Sequence, residues 1–162
     1  MTIKRSFAVL MIFLIPIVLS ASLGWAGGKD IGGTYLATQS DASSILQINR
    51  DGNISMIASE QFRGGGVLGE SFGNSVGTWK WTGKSEITAI MVDIAFVAGS
   101  GSFIGVAAFT NFITFSKDLK TATLTCQGAI FPPGVDPLKA GATPIAGSEF
   151  TCGEVQFNRI EP

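Results

Sequence analysis

From residue 33 onward the apolar positions recur with a period of two, interrupted by turn residues at short intervals. Segments 33–39 (GTYLATQ), 44–50 and 53–59 read as three short strands. The second and third meet at Asp51-Gly52, a dipeptide that tolerates the positive φ of a primed hairpin turn. Segment 60–69, EQFRGGGVLG, has three consecutive glycines and predicts a flexible loop, or a lid hinge at Gly64 to Gly66. Residues 76–82, VGTWKWT, form a fourth strand with Trp79 and Trp81 on one face and Thr78 and Lys80 on the other. Gly83-Lys84 turns the chain into the apolar stretch 86–97, EITAIMVDIAFV, and strands over 102–116, 121–131 and 149–160 follow. A turn at 117–120 and a proline- and glycine-rich loop at 132–148 separate these last three. No eighteen-residue window past the leader keeps a helical period. Eight consecutive strands predict an all-β domain over 27–162, an eight-stranded antiparallel up-and-down barrel, because closure removes exposed edges; a β-sandwich is the alternative.

The fifth and sixth strands depart from simple alternation. Ile87, Ala89, Met91, Ala95 and Val97 share a face with Asp93, while Ile90, Val92, Ile94 and Phe96 share the other. On strand six, Val106, Ala108 and Phe112 oppose Ala107, Phe109, Ile113 and Phe115. Both faces being apolar, something other than water is expected to cover the outer one. Self-association, a ligand-bearing lumen with further packing outside, and an outer-membrane barrel are the competing explanations. The polar first three strands, the single tyrosine and the Glu161-Pro162 ending oppose the last, so no stable membrane insertion is expected.

The chain begins Met1-Thr2-Ile3-Lys4-Arg5, runs apolar from Phe7 to Leu19, and reaches small residues ending at Ala26. This is the pattern of a secretory signal peptide over 1–26, and it predicts a secreted or periplasmic protein. The run is interrupted by Pro16 and falls short of the roughly 20 apolar residues of a membrane-spanning helix. Removing the leader takes away Lys4 and Arg5, leaving 9 basic against 12 acidic residues, a net charge of −3 over 136 positions. Such a balance offers no hold on phosphate backbones, so nucleic-acid binding is not expected. Cys126 and Cys152 lie in the exported part, where a disulfide persists.

Histidine is absent from the whole chain, which excludes a His-containing zinc site, a Ser-His-Asp triad and a Cys-His dyad. Thr82-Gly83-Lys84-Ser85 imitates the end of a phosphate-binding loop, but Thr78 stands where the upstream glycine is required, and the segment joins two strands. Asn53-Ile54-Ser55 is a formal glycosylation sequon on a hairpin. No metal or cofactor is implied. The groups with chemical interest are Asp93 and Glu154, candidate general acids or bases, and Asn111, also in mid-strand. Asp93 is either a buried carboxyl of the lumen, with Arg63, Arg159 or Lys80 as counter-charge, or a charge facing water or a subunit contact. A lumen reading makes Trp79, Trp81, Met91, Asp93, Phe109 and Asn111 the ligand contacts.

Gly33-Thr34-Tyr35 on the first strand and Arg159 near the end of the last resemble the lipocalin and broader calycin arrangement. There a Gly-x-Trp on the first strand is covered by an arginine from the final strand, closing the base of the barrel. Tyrosine replaces the tryptophan here, Gly77-Thr78-Trp79 falls on the fourth strand, and the second calycin motif is absent. The barrels of allene oxide cyclases and dirigent proteins offer a second analogy, which would imply cyclisation or coupling guided by an apolar cavity. The leading expectation is an exported, non-catalytic barrel that binds an apolar small molecule or associates with a second copy through its apolar faces. A cyclase- or isomerase-like enzyme with a carboxylate in the lumen, and a structural surface protein, are the alternatives.

Overall fold

The computed structural model describes residues 30–161 apart from 63 and 65. The leader expected over 1–26 and Arg63 therefore lie outside the described residues, as does part of the triple glycine. Among the described residues there are nine strands: β1 (Gly33–Thr38), β2 (Ser43–Ile48), β3 (Asn53–Ala58), β4 (Glu70–Phe72), β5 (Ser75–Trp81), β6 (Glu86–Val97), β7 (Phe103–Phe115), β8 (Thr121–Phe131) and β9 (Phe150–Arg159). β4 and β5 lie end to end along the same edge of β6, with β4 opposite Ala95 to Val97 and β5 opposite Ile87 to Val92. They are two halves of one wall strand, broken at Gly73-Asn74. The wall thus has eight staves, all antiparallel and each beside its neighbours in the chain, with β9 returning to β1. This is the expected closed up-and-down barrel and sets the sandwich aside.

Two local features differ from expectation. Asn49 N–H donates to Asn53 O and Gly52 N–H to Asn49 O, so the β2–β3 loop spans three residues. Only Gly52 in it has positive φ, at 92°, which is a turn closed by a left-handed glycine rather than a primed two-residue turn. The segment 60–69 is not merely a loop. Ser59–Phe62 forms a 3-10 turn whose Gln61, 1% exposed, donates through Nε2 to Gly73 O and Asn74 Oδ1. That plug fastens the connection onto the break between β4 and β5.

Alternation along the strands sorts the side chains. Ile87, Ala89, Met91, Asp93 and Ala95 of β6 and Ala107, Phe109, Asn111, Ile113 and Phe115 of β7 face inward and are buried. Val97 lies on the same face as Asp93, opposite Glu70 of β4, and is exposed at the last position of β6. The lower lumen is packed solid with aromatic rings. Tyr35 and Trp81 each tilt against Phe115, with centroids 5.9 and 6.3 Å apart, and Trp79 meets Trp81 edge-on. Burying each such large side chain contributes about 2 kcal/mol or more, so this plug is a main source of the fold's stability.

The Gly33-Thr34-Tyr35 segment and Arg159 meet at the base. Tyr35 pairs directly with Arg159 across the β1–β9 seam, and the guanidinium lies 5.9 Å from the ring centroid. Its Nη2 donates to Gly32 O at 2.6 Å and Nη1 to Asp30 O at 3.2 Å. Tyr35 Oη donates to Ile31 O, which ties the entering chain beneath the barrel.

The outer face of β5 to β7 is not covered by the rest of the described chain as expected. Val76, Ile90, Ile94 and Phe112 are between 45% and 53% exposed. Cover is confined to the upper end of β7 and β8, where Pro137 and Leu138 of the 132–148 loop stand near Ala108, Ala129 and Phe131. Ser148, fully buried, fixes the end of that loop by accepting from Ile130 N–H and donating to Ile145 O.

Candidate functional site

The inward side chains change character two-thirds of the way up the barrel. Below, the lumen is filled; above the ring made by Met91, Phe109 and Phe150 it opens into a cavity of about 250 Å³. Phe109 and Phe150 form its floor and one side, ring centroids 5.9 Å apart. Met56, Phe72 and Ala107 add apolar wall, and the Cys126–Cys152 disulfide crosses from β8 to β9 at its edge. These cysteines are direct cross-strand partners on the inner face, as the pairing expected from sequence requires.

Four polar residues line the cavity: Asp93, Ser75, Glu70 and, exposed on β9, Thr151. The regular alternation of β6 turns Asp93 inward, opposite Ala107 of β7. Ser75 opens β5 on the inner face and donates its Oγ proton to Asp93 Oδ2 at 3.1 Å. Glu70 arrives from β4, 5% exposed, and its Oε2 accepts from Leu68 N–H at 2.7 Å. The 66–69 turn packs so closely here that a Cβ on Gly66 would lie 1.9 Å from a Glu70 carboxyl oxygen. A side chain at 66 would therefore push the Glu70 carboxyl away from its bond with Leu68 N–H.

Burial dominates the electrostatics. Asp93 is 7% exposed and its pKa is pushed up to about 6, first by desolvation and further by the Glu70 carboxylate, against the opposing effect of the Ser75 hydrogen bond. Its Oδ1 has no hydrogen-bond partner among the described residues. Among the described wall residues there is no lysine or arginine. Lys80 points outward and is exposed, and Arg159 is committed to the base, so neither serves as the counter-charge considered from the sequence. The site can hold a proton, accept hydrogen bonds and surround an apolar body.

The residues singled out from sequence divide into groups. Asp93 and Phe109 line the cavity. Met91 is fully buried beneath it, and Trp79 and Trp81 belong to the aromatic plug, Trp79 donating its indole N–H to Asn49 O. Asn111 is completely buried one layer below Phe109, between Ala89 and Cys126, and neither of its amide atoms has a partner among the described residues. Glu154 is exposed, away from the cavity. Strict alternation from Cys152 would place it inward, but two residues of β9, Gly153 and Glu154, oppose the single Thr125 of β8, and this bulge turns it out.

No protein family, curated protein or solved structure matches this chain. The cavity is thus interpreted from its own geometry. Glu70, Ser75 and Phe72 were not picked out by sequence reasoning. Ser75 was within reach, since the face carrying Trp79 and Trp81 extends back through Gly77 to it. Glu70 sits in a three-residue strand at the end of a glycine-rich connection, and no periodicity marks so short an element.

Proposed function

We propose that this protein is an exported, non-catalytic binding protein that takes a small, largely apolar ligand into the upper lumen of its barrel. The observation that carries the reading is the 250 Å³ cavity above a solid aromatic plug, walled by apolar groups and holding one inward carboxyl with an unpartnered oxygen. The volume lies just below the roughly 300–1,000 Å³ of sites for drug-sized ligands, so a compact molecule fits best. A base sealed by Arg159 over Tyr35, with the chamber at the far end, also agrees with the calycin-like arrangement. The disulfide suits an oxidising compartment outside the cytoplasm.

Titration with the uncharged fluorescent probe N-phenyl-1-naphthylamine tests this. Saturable binding at one site per chain, lost when Ala107→Trp fills the chamber, is the expected result. Absence of saturable binding by the wild type would remove the reading.

A second reading is favoured by a separate observation. Val76, Ile90 and Ile94 stand exposed on adjacent strands with Val92, Val106 and Ala108 between them, a continuous apolar face on β5 to β7. Such a face suits self-association, and the two roles are compatible because one uses the inside of the wall and the other the outside.

A further inference from the structure

We infer that the ligand of the upper lumen carries a cationic amine head group, bound at the Asp93 carboxyl in a cavity that Glu70 also lines, on a compact apolar body. The inference rests on the lumen being a ligand site and adds the chemistry of what it selects. Two carboxyl side chains, 7% and 5% exposed, line the same cavity, Glu70 opposite Val97 and Asp93 lower on β6 with Phe72 and Ala95 between them, and the Glu70 charge acts on Asp93. The described wall supplies no basic side chain to balance them, and the other polar wall group near Asp93, Ser75, already donates to Oδ2. Asp93 Oδ1 is left without a donor.

A buried carboxyl oxygen with no donor is costly, because the hydration it gives up is not replaced by a hydrogen bond, and more so when the group is charged. A ligand relieves that cost only by bringing donors and, for full effect, positive charge. An ammonium group offers three N–H donors and no acceptor, which matches a wall that presents acceptors. Charge-assisted hydrogen bonds of this kind are about twice as strong as neutral ones. An anionic ligand would face repulsion from both carboxyls, and an alcohol would satisfy one oxygen without neutralising either. Around the head group, Phe72, Phe109 and Phe150 line the cavity and present apolar surface to an apolar or aromatic body.

The test uses three molecules of one skeleton with the purified, oxidised protein at pH 7.5: 2-phenylethylamine, 2-phenylethanol and phenylacetate, measured by calorimetry or native mass spectrometry. The amine is expected to bind at least tenfold more tightly than the alcohol, with phenylacetate undetected. In Asp93→Asn the amine's advantage over the alcohol should shrink to threefold or less, with the fold checked by circular dichroism. Glu70→Gln provides the same comparison if Asp93→Asn does not fold. Alcohol or phenylacetate binding as tightly as the amine, while N-phenyl-1-naphthylamine still binds, would overturn the amine inference and leave the ligand-binding reading standing. If neither the three molecules nor the naphthylamine probe bind, both fall together.

Discussion

Arg159 and Tyr35 face each other across the shortest seam of the barrel, where β1 and β9 pair only through Tyr35 with Arg159 and Leu36 with Asn158. The guanidinium lies over the ring and bonds two backbone carbonyls of the entering chain, so a single side chain clamps both ends of the wall. Removing it gives up charged hydrogen bonds worth about 1.5–3 kcal/mol and a cation–π contact of about 0.5–1 kcal/mol, partly offset by solvent reaching the freed carbonyls. Arg159→Ala is expected to lower unfolding free energy by about 2 kcal/mol in urea. Hydrogen exchange should show the loss concentrated in β1 and β9. A uniform small loss across all strands would contradict the clamp.

Asp93 sets a pH dependence of definite sign. Its folded pKa is raised to about 6, above the ordinary carboxyl value, so the folded state favours the protonated form. The stabilisation is complete below pH 4 and is lost as pH rises through 6. At about 1.4 kcal/mol per unit, the whole effect is on the order of 2–3 kcal/mol. Asp30, Asp51 and Asp118 are held low by Arg50, Asn53 and Ser116 and act in the opposite direction, so the wild type alone is a poor readout. The difference between wild type and Asp93→Asn cancels them. Wild type should lose about 2–3 kcal/mol relative to the variant between pH 4 and pH 7, measured by chemical unfolding at each pH. A difference independent of pH would show that Asp93 ionises as freely as in water.

Asn111 is the clearest expense in the interior. It is completely buried, with both amide atoms lacking partners among the described residues. Replacing it by valine, close in size and suited to a strand, removes two unmet polar groups at once. Asn111→Val should therefore raise stability by about 1–2 kcal/mol. A loss of similar size would show that the amide is satisfied in solution, by water or by a ligand reaching below Phe109.

The exposed apolar face predicts concentration-dependent association. Ile94 sits in this face, 48% exposed and paired with Val106. Sedimentation velocity of the wild type should show a species of two or more chains that Ile94→Lys converts to monomer, while circular dichroism stays the same. A wild type monomeric at every concentration would reserve the face for some other use.

The strands and their order were legible because the period-two pattern and the turn residues Gly, Pro, Asn and Asp act locally. The same rule grouped Asp93 with Ile87, Ala89, Met91 and Ala95, but which face of β6 turns inward stayed open because both faces are apolar. Legibility failed where a register shift intervened. The bulge at Gly153 and Glu154 reversed the face of Glu154. Depth was equally hidden. Met91, Asn111, Trp79 and Trp81 all point inward as alternation demands, yet only position along the barrel axis decides whether such a residue meets a cavity or a packed ring. The short β4 strand, and with it Glu70, escaped because three residues carry no period.

The break at Gly73-Asn74, pinned by Gln61, separates two zones of the molecule. Beneath it the aromatic plug and the clamped base carry the burden of folding. Above it Gly66 and Val67 of the turn that precedes β4 line the chamber. Side-chain changes in that turn would thus remodel what the chamber admits while leaving the foundations untouched, so selectivity and robustness can be altered independently in this scaffold.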